Sequence, residues 1–441
     1  MSRLPAVLAC CLAGVTAQAD TIALTGGTVI DGYGGPPIAN GVVVIDGERI
    51  LAVGGRGQVL VPDGAQVIST EGMTVLPGLW DLQVRTMRLG HGDSARWDET
   101  YGPLAERVVM PIAARQLLQA GVTSARDVMA PLEAAINVRR RIREHLIEGP
   151  TLYVSGPALR KLVPPGTEAW QWSVGGAADA KAKVAQLADA GVDYVLLSEV
   201  DLWSAEELAA AVGEARARGL AVHAFAERPA DVERGVALQL DGFLGASMGV
   251  TPFPDSVVLA LYQRLLDASA RTLAWTPAIS ALLNFESLRG NAEPLDDPRV
   301  TGELPPLVAA DILGSLSNPD RVTWFEMPAS KARSLCAKLR QLDEAKVTLL
   351  VGSDAGVPGH LHSRATWQEI DFWVRDCGFP AERAIRAATH DAAAAMGVGH
   401  ETGALAPGKF ADVIAVRGDV LRHPDLLQNV DVVIKRGRRV R

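Results

Sequence analysis

The chain has 441 residues, of which 48% are apolar and 21% charged, with a formal net charge of -8. That length carries one barrel-sized domain plus a smaller module, with enough apolar residues for a well-buried core. The acidic balance argues against nucleic-acid binding, and the basic run Lys435 to Arg441 reads as a solvated tail.

Taken in chain order, the first element is an export signal. Met1-Ser2-Arg3 is a short positive region, Leu4 to Thr16 is apolar, and Ala17-Gln18-Ala19 is an A-x-A cleavage site. This predicts a signal peptide over 1–19 and a mature protein in the periplasm or outside the cell. A lipoprotein is the weaker alternative: Leu8-Ala9-Cys10 resembles a lipobox, but only six residues of apolar run precede Cys10. No later segment has the length and apolarity of a membrane span. Cleavage leaves Cys336 and Cys377, which an oxidising compartment allows to pair but which make no disulfide framework.

Residues 20–75 read as short strands. Ile22 to Ile30 is strand-like, and Val42 to Ile45 leads through Asp46-Gly47 into Ile50 to Val53, a hairpin signal. Residues 403–441 are similar, with Val413 to Val416 and Val430 to Lys435. Neither piece buries a face alone, so the two are expected to form one small β-sandwich built from both ends of the chain.

The middle, 76–402, alternates helix and strand. Asp179 to Ala190 is amphipathic, and Val192 to Ser198 is an apolar run. Ser204-Ala205-Glu206-Glu207 is a capping box opening a helix to about Arg218. Strands follow at Leu220 to Ala226, Leu240 to Ala246 and Thr272 to Pro277, with a helix over Pro229 to Ala237. Such βα units predict a parallel sheet with helices outside. Periodicity alone leaves a closed barrel and an open sheet as alternatives. No G-x-G-x-x-G opens a helix, which argues against dinucleotide binding. Residues 284–322 carry five prolines and scattered acids, a long loop placed to cover a barrel mouth.

Several stretches resemble the amidohydrolase superfamily, most nearly its imidazolonepropionase and Xaa-Pro dipeptidase (prolidase) branch. They are Thr74 to Asp81, Ala120-Gly121-Val122-Thr123-Ser124-Ala125-Arg126-Asp127, Leu350 to Gly359, Ala387-Ala388-Thr389, and Gly403 to Asp412. The resemblance implies a (β/α)8 TIM-like barrel plus the small β-sandwich. It also implies metal-dependent hydrolysis of amide or cyclic amide C–N bonds. In that family the metal is held by an H-x-H pair on strand 1, a carboxylated Lys on strand 4, a His on strand 5, a His on strand 6 and an Asp on strand 8. Bound metal lowers the pKa of its water and polarises the scissile carbonyl, and the Asp takes the proton.

This chain departs from that set. Gln83 and Arg85 stand at the strand 1 positions. The strand 4 position falls near Leu196, and no Lys occurs between Lys183 and Lys331. The strand 6 position falls near Gly245, and no His occurs between His223 and His360. His223 on strand 5 and Asp354 on strand 8 survive as the two candidate ligands of a weak zinc site, if any metal is bound. Without metal the Asp354 carboxylate needs a partner, and Arg85 is expected to occupy the space and charge of the lost ion.

The candidate catalytic residues are therefore Asp354, Arg85 and His362, and the candidate substrate-binding residues Gln83, His223 and His360. His362 falls where the prolidase-like branch places a substrate-facing His. Glu199 reads as a surface acid, Trp80 and Trp275 as core, and His91 and His145 as residues without a special role. Three functions stay open. The first is a non-zinc descendant that binds a small amide or peptide, or acts as a scaffold. The second is an active hydrolase with one metal or none. The third is a partner subunit of an intact paralogue, or a member of a homo-oligomer. Four ligand losses together favour the first.

Overall fold

The structure is a computed structural model that describes residues 21–246, 251–267, 269–283, 304–317 and 330–441. The expected signal peptide over 1–19, Cys10 with it, lies outside the described residues, as do 284–303 and 318–322 of the proline-rich segment.

Ile22–Val29 pairs antiparallel with Ile38–Asp46, which turns at Asp46-Gly47 and pairs back with Arg49–Gly55. Gly47 has φ 56°, the left-handed region that this tight turn requires and that a glycine enters freely. Met73–Pro77 runs parallel to Ile22–Val29 and antiparallel to Val413–Arg417, and Val430–Lys435 continues beyond it. Strands from 22–77 and from 413–439 thus share one eight-stranded sheet. It is a single hydrogen-bonded sheet, where a sandwich of two was expected. Ile22, Leu24, Val43, Ile45, Val413 and Ile434 form a core of its own beneath it.

Between these pieces the strands run parallel. Leu79–Val84, Val122–Asp127 and Thr151–Val154 form one sheet. Ala158–Arg160, Tyr194–Leu197, Ala221–Phe225, Gly242–Leu244, Ala274–Thr276 and Thr348–Leu349 follow in that order in a second. Three hydrogen bonds join the last strand's continuation to the first strand. The Leu82 N–H donates to the Val351 carbonyl at 3.0 Å, the Asp354 N–H to Gln83 at 2.7 Å, and the Arg85 N–H to Ala355 at 2.8 Å.

The strands are largely buried because helices cover them. Helix Ala177–Asp189 turns Ala180, Val184 and Leu187 inward, the spacing of one helical face. Helix Ala205–Ala217 opens with the expected box. Ser204 Oγ accepts from the Glu207 N–H at 3.2 Å, and the Glu207 carboxylate accepts from the Ser204 N–H at 2.8 Å. Trp80 and Trp275 are fully buried in the core. Cys336 and Cys377 form a disulfide between helix Ser330–Glu344 and the turn after helix Ala365–Arg375. Among the described residues no helix is long and apolar enough to cross a membrane.

Candidate functional site

Strand Leu79–Val84 is buried along its whole length, so its polar residues must find partners inside. Asp81 does so with both oxygens. Oδ1 accepts from the Gln83 N–H at 3.2 Å and the Ser353 N–H at 2.9 Å. Oδ2 accepts from Ser353 Oγ at 2.6 Å and Thr366 Oγ1 at 2.7 Å. Burial raises the Asp81 pKa even so. This lock fixes the first strand against residues 350–354 and sets where Gln83, Arg85 and Asp354 emerge.

Arg85 meets Asp354 through two bonds, Nε to Oδ1 at 2.7 Å and Nη2 to Oδ2 at 3.3 Å. The side chains are only 10% and 17% exposed, so the pair is largely desolvated. Asp354 has φ 55°, a left-handed backbone uncommon outside glycine and concentrated at functional sites. Gln83 is 2% exposed, and its Oε1 has no hydrogen-bond partner among the described residues.

These three residues line a cavity of about 1530 Å³ at the strand ends, together with Phe225, Leu244 and Trp170. The histidines expected at the substrate do not. His223, His360 and His362 are not among the residues that line it. Each is packed behind the wall instead. His223 faces Arg126, whose Nη1 lies 3.4 Å from both ring nitrogens, and stands edge-on to Tyr194. Burial, then the Arg126 charge, hold the His223 pKa well below its usual value, so the ring is neutral. His360 Nε2 lies 3.2 Å from Ser280 Oγ, and burial lowers His360 and His362 to about 3.

The sequence reading missed most of the charge in and behind the cavity wall. Arg126, inside the strand 2 motif, is fully buried and spans the interior, donating to the Leu82 carbonyl at 2.8 Å and to Thr276 Oγ1 at 3.1 Å. Arg88 pairs with Asp98 at 2.7 Å and lies over the Trp170 ring at 4.9 Å. Arg160 grips Glu199 through two bonds, at 2.6 and 3.3 Å. Glu199 is therefore no surface acid. It is 7% exposed, and it also accepts from the Leu162 N–H at 3.0 Å. Burial acts to raise its pKa, but the Arg160 bonds and the Leu162 amide prevail and hold it low. His91 also lines the cavity, beside Asp311 of helix Pro306–Leu316. The described part of the proline-rich segment thus borders the cavity. A charged residue ending a buried strand, as in Arg126-Asp127, was the available signal.

Residues 312–440 match the model of the amidohydrolase family. The fold as a whole is that of a Xaa-Pro dipeptidase solved with methionine in its active site, at 22% identity and TM-score 0.73, covering 95% of this chain and 99% of that one. By sequence the likeness to the amidohydrolase superfamily covers residues 312–440. Two other solved structures are similar over nearly the whole chain. Molinate hydrolase shares 20% identity at TM-score 0.73, covering 96% of this chain and 95% of that one. The ochratoxinase of A. niger shares 21% at TM-score 0.70, covering 96% of each. No curated protein matches by sequence.

The superfamily usually binds metal, but the donor set here does not fit one. Both Asp354 oxygens are engaged by Arg85. Gln83 and Arg85 replace the strand 1 imidazoles, and Leu196 faces His223 in register, where the lysine would stand. Among the described residues no group of three or more His, Cys, Asp or Glu is placed to hold an ion.

Proposed function

We propose that this protein is an exported, non-zinc descendant of amidohydrolase-superfamily C–N hydrolases that binds a small amide or peptide in the cavity. The observation that carries this reading is the Arg85–Asp354 pair. A guanidinium supplies positive charge and two directed donors, so it satisfies the carboxylate that a metal would otherwise neutralise. It supplies no activated water, and an Asp354 with both oxygens bound is poorly placed to take a proton.

The printed names of the similar structures support a small-molecule ligand: a dipeptidase, a molinate hydrolase and an ochratoxinase. Setting aside the short Ala158–Arg160, eight parallel strands, with the first and last joined through Leu82, Asp354 and Arg85, support a closed (β/α)8 barrel. On that reading the barrel spans 76–402 and the sheet domain combines 20–75 with 403–441. The Cys336–Cys377 disulfide supports an oxidising compartment, in keeping with export.

The test is metal content. The mature protein, purified without chelator, should hold less than about a tenth of an equivalent of zinc and gain none when zinc is added. About one equivalent, lost in His223→Ala and in Asp354→Ala, would overturn the reading.

A further inference from the structure

Two donors at the end of the first barrel strand have no acceptor within the protein. Gln83 lines the cavity on a residue only 2% exposed. Its Oε1 is sealed off. Its Nε2 is not sealed, and it donates to nothing among the described residues. Turning the amide over would seal two N–H donors in place of one carbonyl oxygen, the costlier arrangement. Arg85, two residues on, lines the same cavity. Asp354 takes its Nε and Nη2, which leaves Nη1 unsealed and without an acceptor among the described residues. The guanidinium carbon lies 5.8 Å from the centre of the Phe225 ring, so Arg85 is held from two sides.

Both donors are fixed in advance. The Gln83 N–H donates to Asp81 Oδ1 at 3.2 Å, and the Arg85 N–H to the Ala355 carbonyl at 2.8 Å. Pre-set donors lose little freedom when an acceptor arrives.

The charge of the lining decides which acceptor fits. Arg88, Arg96 and Arg160 are held by carboxylates at 2.6 to 2.7 Å, as Arg85 is. Glu99 and Glu227 also line the cavity and make no ion pair among the described residues. An incoming carboxylate would meet unpaired acids and no unclaimed cation. A neutral carbonyl oxygen avoids that repulsion, and its two lone pairs accept two bonds.

We infer that Gln83 Nε2 and Arg85 Nη1 form a docking site for a neutral carbonyl oxygen, so that the cavity holds its amide by the C=O. This rests on the reading of the cavity as a small-amide site and names the atoms that hold the amide.

Calorimetry and infrared spectroscopy on the mature chain test it with two probes of one frame. N-acetyl-L-prolinamide is neutral, and N-acetyl-L-proline is an anion at neutral pH. The neutral probe should bind about ten-fold more tightly. With an isotope label at one carbonyl or the other, one stretch of the bound probe should lie below its frequency in water, since one of the two donors is charged. Gln83→Met keeps the length of the side chain and removes the donor. It should weaken the neutral probe about ten-fold and return that stretch part of the way upward. Equal or tighter binding of the anion, an unshifted stretch at both carbonyls, or parental binding by Gln83→Met would overturn the inference and leave the small-amide site standing. Should Gln83→Met not fold, the stretch in the parent decides alone. Failure of both probes to bind would overturn the inference and the small-amide reading together.

Discussion

Arg85 Nε lies 2.7 Å from Asp354 Oδ1 while Arg85 Nη2 lies 3.3 Å from Oδ2, so the two residues meet fork to fork across the first and last strands. Removing one half of such a pair leaves the other charge desolvated and alone. Arg85→Ala should destabilise the protein by about 3 kcal/mol. Adding Asp354→Asn to that variant should recover most of the loss. Chemical denaturation of the single and double variants checks both statements. A neutral Arg85→Ala would mean that water in the cavity already solvates Asp354.

Asp127 and Glu369 give the protein a pH dependence of definite sign. Burial raises both carboxyls to about 7, against the hydrogen bonds that each accepts. A carboxyl with a raised folded pKa binds its proton more tightly when folded. Its contribution therefore falls as the pH rises from about 4 to about 7, and is flat above that. Paired acids such as Glu199, whose pKa is lowered, act the other way and lose stability only as the pH drops below the usual carboxylate range. Asp127 Oδ2 has no partner among the described residues, so an asparagine nitrogen fits there. Asp127→Asn should flatten the decline between about pH 5 and about pH 7, read from denaturation midpoints. A slope identical to that of the parent would show that Asp127 is ionised throughout.

Cys336 and Cys377 close a loop of 41 residues. Replacing both by Ala should cost about 4 kcal/mol through the freed unfolded chain. Reduction of the parent should lower its Tm to that of the double variant. Equal Tm values for oxidised parent and double variant would place the bond outside the cooperative unit.

Gly352 is a packing constraint on the cavity. A Cβ added there would meet the Thr276 methyl group and, at 2.8 Å, the Gln83 backbone nitrogen. Gly352→Ala should therefore cost about 2 kcal/mol and displace Gln83. Its measured signature would be a loss of stability together with weakened binding of any amide that Gly47→Ala, at an open turn, does not weaken. Wild-type stability in Gly352→Ala would show that the strand can shift aside.

Most of the architecture was legible because it rests on periodic patterns. The Ser204 box, the Asp46-Gly47 turn and helix Pro229–Ala237 each carry their own local signal. The Arg85–Asp354 contact was also legible, since a carboxylate deprived of its ion needs a partner. The rest of the cavity was not. Whether His223 faces the opening or the packed interior depends on its depth along a strand, and Arg126 decides that from another strand. Glu199 looked solvated because nothing nearby in sequence announces Arg160, which arrives from 39 residues away. Arg88 and Trp170 meet only when two distant loops close on each other.

The shared sheet has a consequence for how the protein is made. Met73–Pro77 finds its neighbour Val413–Arg417 only after every intervening strand and helix has left the ribosome. Until then the edge that Met73–Pro77 presents stays open to any passing strand. A nascent chain of this design is open to mispairing until its last residues arrive to seal its first.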